Sequence, residues 1–134
     1  MKFNYKKIYI ILLLLILIQS KVLASDNNAL YTKENISNYL LGIISTKDDN
    51  NKAHKYLKKV QLLKKNHSNF NIEFVRNLVL IEKFDEAIAF SKSVWKVDEL
   101  FFEADLLLGL NYFKKGDYKN SEKHFERLNK ISKY

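Results

Sequence analysis

The residues that could do chemistry are few and scattered. His54, His67 and His124 stand far apart, and none has a second histidine three or four residues away to share a helical face. A zinc site needs three or four converging ligands, so this spacing offers no metal centre. Carboxylates do come in pairs: Asp48 with Asp49, Asp98 with Glu99, and Glu103 with Asp105. Acid–base catalysis would need two carboxyl groups held apart in unequal environments of one cleft. The first pair falls in a turn. The others lie near the start of a predicted helix, where negative charge complements the helix dipole. Gly42, Gly109 and Gly116 are isolated, so no glycine-rich loop cradles a phosphate. The absence of cysteine removes thiolate nucleophiles, disulfides, cysteine-based zinc sites and lipid attachment to an N-terminal cysteine. The chain therefore reads as non-enzymatic, with no cofactor and no metal.

Any binding site must be positioned by helices, because the residues that interrupt helices are scarce. The 134 residues have room for one domain, and 47% hydrophobic with 28% charged residues is a globular balance. Proline is absent and glycine occurs three times, which favours long helices over a many-turned β fold.

The opening, MKFNYKKIYIILLLLILIQSKVLASD, stands apart. Lys2, Lys6 and Lys7 make a positive front, Ile8 to Ile18 are eleven apolar residues in a row, and Ala24 follows with Val22 two positions before it. That order predicts a secretory signal over residues 1–24, cleaved after Ala24, and a linker over 25–33. The alternative is an uncleaved anchor in the inner membrane. Eleven helical residues rise about 17 Å against a hydrocarbon core of about 30 Å, although Val22 to Ala24 extend the apolar stretch. In either case the remainder faces the outside, periplasmic or secreted. Residues 1–24 hold four lysines and no acid, so the other 19 basic residues against 15 acidic ones leave +4. The headline +8 overstates any affinity for nucleic acid, and export argues against such a partner.

Beyond residue 33 the chain repeats. A shift of 34 aligns residues 34–67, 68–101 and 102–134. Leu40, Phe74 and Leu108 form one apolar column, and Ile44, Leu78 and Tyr112 the next. Ala53, Ala87 and Ser121 form a small column. Val60, Val94 and Leu128 follow, then Leu63, Val97 and Ile131. A polar turn (KDDNN, EKFD, KGDY) divides each unit, predicting two helices of about a dozen residues per unit. Ser91 departs from the column of Leu57 and Phe125, with Phe90 beside it to take over the packing. The third unit, with Leu108-Gly109-x-x-Tyr112, then Ser121, then Phe125, resembles the tetratricopeptide repeat, whose period is 34. The middle unit fits through Phe84, Ala87 and Val94, and the first through Leu40, Ile44, Ala53 and Leu57. The position where the family carries an aromatic residue early in the first helix holds Asp105, and the proline that ends its repeats is missing.

That resemblance implies an all-α fold, a right-handed superhelix of helical hairpins with about six antiparallel helices behind the hydrophobic N-terminal segment. It also implies a protein or peptide partner on the face made by the first helix of each pair. Carried over, that face comprises Asn35, Asn38 and Ser45 of the first unit. The second unit adds Asn69, Ile72, Arg76 and Val79, and the third adds Glu103, Leu106, Leu110 and Phe113. Side-chain amides can bond an extended backbone, and Arg76 can fork to a carboxylate. The lysine-rich stretch NKAHKYLKKVQLLKK is expected to be one helix with a solvated basic face, and a membrane surface is its minor alternative partner. Lys119, Lys123, Arg127 and Lys130 could cap the last helix with charge. The rival readings are an oligomerisation element pairing through the C-terminal repeat, or a fragment of a longer repeat protein.

Overall fold

The polar stretches between the apolar runs stop helices for identifiable reasons. In a computed structural model, which describes residues 30–131, six α-helices follow one another. They are α1 Lys33–Ser45, α2 Asn50–Lys59, α3 Ser68–Leu80, α4 Phe84–Val94, α5 Phe102–Lys114 and α6 Tyr118–Ile131, with a 3-10 helix at Gln61–Lys65 after α2. Among the described residues there is no strand, and the fold is all-α. The signal segment read at 1–24 lies outside the described residues. No described helix is long and apolar enough to cross a membrane.

The starts of α2, α3 and α6 carry side-chain caps, whereas those of α4 and α5 have none. Asp49 Oδ1 accepts from Lys52 N at 2.9 Å, His67 Nδ1 accepts from Phe70 N at 3.0 Å, and Asp117 Oδ1 accepts from Asn120 N at 3.2 Å. Each satisfies an amide that a helix start otherwise leaves bare. Asn120 also donates its side-chain amide to Asp117, and together these bonds hold the Asp117 carboxyl below the usual range. The turns inside the second and third pairs are the same object. Lys83 N donates to Leu78 O at 2.9 Å and Asp117 N to Tyr112 O at 3.0 Å, 34 residues apart. The residue before each donor is left-handed, Glu82 at φ 60° and Gly116 at φ 75°. This is the six-to-one closure that commonly ends helices, and glycine adopts it without strain.

The core follows the small and apolar columns. Ala53, Ala87 and Ser121 are all buried, as are Phe74, Leu78, Leu108, Val60 and Leu63. Phe74 stacks on Phe70 at 5.5 Å, meets the edge of Phe90 at 4.7 Å and lies parallel to His54 at 5.9 Å. Phe90 thus fills the space beside Ser91. Two glycines permit close approach within a pair. A Cβ on Gly42 would come within 2.6 Å of Leu57, and one on Gly109 within 2.6 Å of Phe125. The α5 helix packs against both α3 and α4, and α2 packs against α3.

The first pair departs from the 34-residue register. Leu40 and Ile44, expected in the core columns, are 52% and 61% exposed. The inward side of α1 is Asn38, Gly42 and Ser45. Gly42 must face Leu57, and residues two positions away sit about 200° round the helix, so Leu40 and Ile44 turn outward. Four residues separate α1 from α2, against three in the other pairs. Val97 also leaves its column for the surface, in the link between α4 and α5. The basic stretch is not one helix: α2 ends at Lys59, and Lys64 and Lys65 belong to the 3-10 turn.

Candidate partner-binding face

The first helices α3 and α5 carry most of the side chains expected to form a binding face, and an ion-pair bridge holds them in register. Arg76 on α3 donates through Nε to Glu103 Oε1 on α5 at 2.8 Å and through its terminal nitrogens to Glu103 at 2.6 Å and Glu73 at 3.1 Å. The guanidinium expected to fork to a ligand carboxylate is therefore already forked to two of the chain's own. A ligand acid must compete with both, while the neutralised arginine remains exposed as a flat polar surface.

Around that bridge the expected residues separate. Leu110 and Phe113, 52% and 58% exposed, present apolar surface on the last turns of α5. Ile72, Val79 and Leu106 are half-buried, and Asn69 is exposed in the first turn of α3. The first unit supplies less. Asn38 and Ser45 are buried against the chain's own interior. Asn35 serves the start of its own helix, donating Nδ2 to Leu30 O at 3.0 Å and its backbone N to Thr32 Oγ1 at 3.2 Å. The described residues thus offer a neutralised charge bridge at the first turn of α5 and an apolar end at its last turns.

What stiffens α5 was not legible in the residue spacing. Asp105 is fully buried. Its Oδ1 accepts from Trp95 Nε1 at 2.8 Å and Arg127 Nε at 3.0 Å, and lies 2.8 Å from His124 Nδ1. A carboxylate can only accept, so His124 carries a proton on Nδ1. Arg127 reaches past Asp105 and donates to the carbonyls of Lys96, Val97 and Glu99. One buried guanidinium thereby ties α6 to α5 and to the link after α4. Trp95 covers the assembly, with Arg127 and Lys123 each 5.0 Å from its ring centre. Arg127 is not the solvated cap expected of it. Asp98 and Glu99 lie in the link rather than on the helix, and Glu103 is the acid that meets Arg76. The Glu103/Asp105 pair was visible in the sequence as two acids, but not that one would be a buried acceptor. Among the described residues no group of three or more acids and histidines is placed to hold a metal.

His54 forms a second buried polar point, at the junction of α2 with α3. Burial pushes its pKa down, with Lys83 and Lys58 adding to the effect and Glu86 and Asn77 opposing it. The unfolded chain takes up a proton near pH 6.5, while the folded chain resists until a lower pH. Stability is therefore full above about 6.5 and falls as pH drops through that window. Denaturant melts at pH 7.5 and 5.0 are expected to show a loss in the wild type, and His54→Phe is expected to remove part of it.

No family model matches the chain, and a search of curated proteins finds no match.

Proposed function

We propose that the chain is an exported tetratricopeptide-like array that binds a partner protein non-covalently, in the periplasm or envelope. The observation that carries this reading is the apolar end of α5, where Leu110 and Phe113 stand in solvent, about two and three turns beyond Glu103 of the Arg76 bridge. Large apolar side chains gathered on one rigid element are what partner interfaces use at their centres. The 34-residue recurrence of the Glu82 and Gly116 turns and of the buried small column supports the repeat reading. The order of charges, apolar run and small residue in residues 1–24 supports export.

The test is capture of partners from an envelope fraction with the full chain, followed by reciprocal capture with each partner found. Leu110→Glu is expected to weaken the confirmed interaction at least tenfold while the thermal melt stays within a few degrees. An interaction indifferent to Leu110→Glu removes this face from the function.

A further inference from the structure

The α6 helix has two unlike sides. Its inner side is used up: Ser121 Oγ donates to Gly109 O at 2.9 Å, and His124 and Arg127 belong to the Asp105 assembly. Phe125, half-buried, packs one edge over Gly109 and also lines the groove on the other side. Its outer side, with Phe113 of α5, forms an open groove of about 480 Å³. Phe113 and Tyr118 make an aromatic end, edge to face with ring centres 5.6 Å apart, and both are exposed. Glu122 and Glu126, one turn apart, line the same groove. Neither forms an ion pair among the described residues. Like charges at that spacing work against a helix unless something of opposite charge meets them.

The preceding pair shows what such a place receives. There α5 packs on α3 and α4, and Arg76 on the receiving pair meets Glu103 on the arriving helix. One repeat later the polarity is reversed. The position of Arg76 is taken by Leu110, while Ile88 and Lys92 give way to Glu122 and Glu126. An α5-like helix, acidic in its first turn through Glu103 and Asp105, would bring like charge to this rim.

We infer that the α5–α6 groove docks a basic amphipathic helix of a partner protein, its apolar stripe on Phe113, Tyr118 and Phe125 and its lysines or arginines on Glu122 and Glu126. This rests on and deepens the partner-binding reading: the groove shares Phe113 with that face and adds Tyr118, Phe125, Glu122 and Glu126, so E122K/E126K tests residues that Leu110→Glu leaves untouched.

The experiment uses the full chain and two fluorescent 18-residue synthetic helices with one shared leucine stripe, flanked by lysine in one and by glutamate in the other. Anisotropy titration at physiological salt is expected to show the lysine-flanked helix binding at least tenfold tighter, and more weakly as salt rises. The double substitution E122K/E126K is expected to reverse the preference. Equal binding of the two helices, or a preference untouched by E122K/E126K, overturns the proposal. So does an absence of binding because a second copy or a segment of the same chain fills the groove. Light scattering on the wild type and on Tyr118→Glu identifies that occupant.

Discussion

Asp105→Ala is expected to destabilise the chain by about 3–5 kcal/mol, the usual cost of removing one partner from a buried ion pair. The size follows from what is stranded. Arg127 and His124 stay buried without their acceptor, and Trp95 Nε1 loses its bond. Domains of this size are stable by only about 5–15 kcal/mol in total, so the variant approaches the edge of folding. The reference is the double variant Asp105→Leu/Arg127→Met, which removes both charges. It is expected to lose less than the two single variants summed, by about 0.5–3 kcal/mol of coupling. Urea melts followed by the fluorescence of Trp95, the chain's one tryptophan, read both stability and the local environment. A loss below about 1 kcal/mol for Asp105→Ala would show that the carboxylate is not the keystone of the third pair. The link from Trp95 to Phe101 should also become more open to proteases in this variant, since Arg127 holds its carbonyls from α6.

Phe74→Ala should cost a similar amount, about 3–5 kcal/mol, by a different route. The ring lies at the meeting point of Phe70, Phe90 and His54, with fully buried Val75 and Leu78 on the same helix. Truncation loses the transfer free energy of the ring and leaves a cavity that the stacked helices close only in part. Phe74→Leu, which refills most of that space, should recover more than half of the loss. The expected signature is a lower denaturant midpoint with an unchanged slope, because the unfolded surface hardly changes. If Phe74→Ala moved the midpoint no more than an exposed substitution does, the aromatic cluster would not be the centre of the core.

The two substitutions read different residues of neighbouring surfaces that share Phe113. Leu110 lies on α5, whereas Glu122 and Glu126 lie on α6. Loss of affinity through Leu110→Glu reports on the apolar contact, and a reversed charge preference through E122K/E126K reports on the acidic rim.

Helix type was legible because it depends on local patterns: apolar spacing near 3.6, few breakers, and polar turns at fixed intervals. The columns Ala53, Ala87 and Ser121, and Phe74 with Leu108, are read directly from spacing because close packing admits few alternatives there. The first pair shows where that reading stops. Leu40 and Ile44 are as apolar as their column partners, yet the contact between Gly42 and Leu57 rotates α1 and turns them to solvent. A helix can satisfy its own hydrogen bonds at any rotation, so which side faces inward is settled by its neighbour.

The sequence by itself determined that the described residues are helical, and which residues are small enough to lie between helices. The tertiary structure alone decided that Asp105 is a buried acceptor rather than a solvated helix-start acid, that Arg76 spends its charge on Glu73 and Glu103, and that Glu122 and Glu126 are left facing solvent. The physical reason is range. Helix formation is set by residues three and four apart, whereas Arg127 and Asp105 meet across 22 residues of chain and Arg76 and Glu103 across 27; the Glu73–Arg76 contact, three residues apart, is the local one among them.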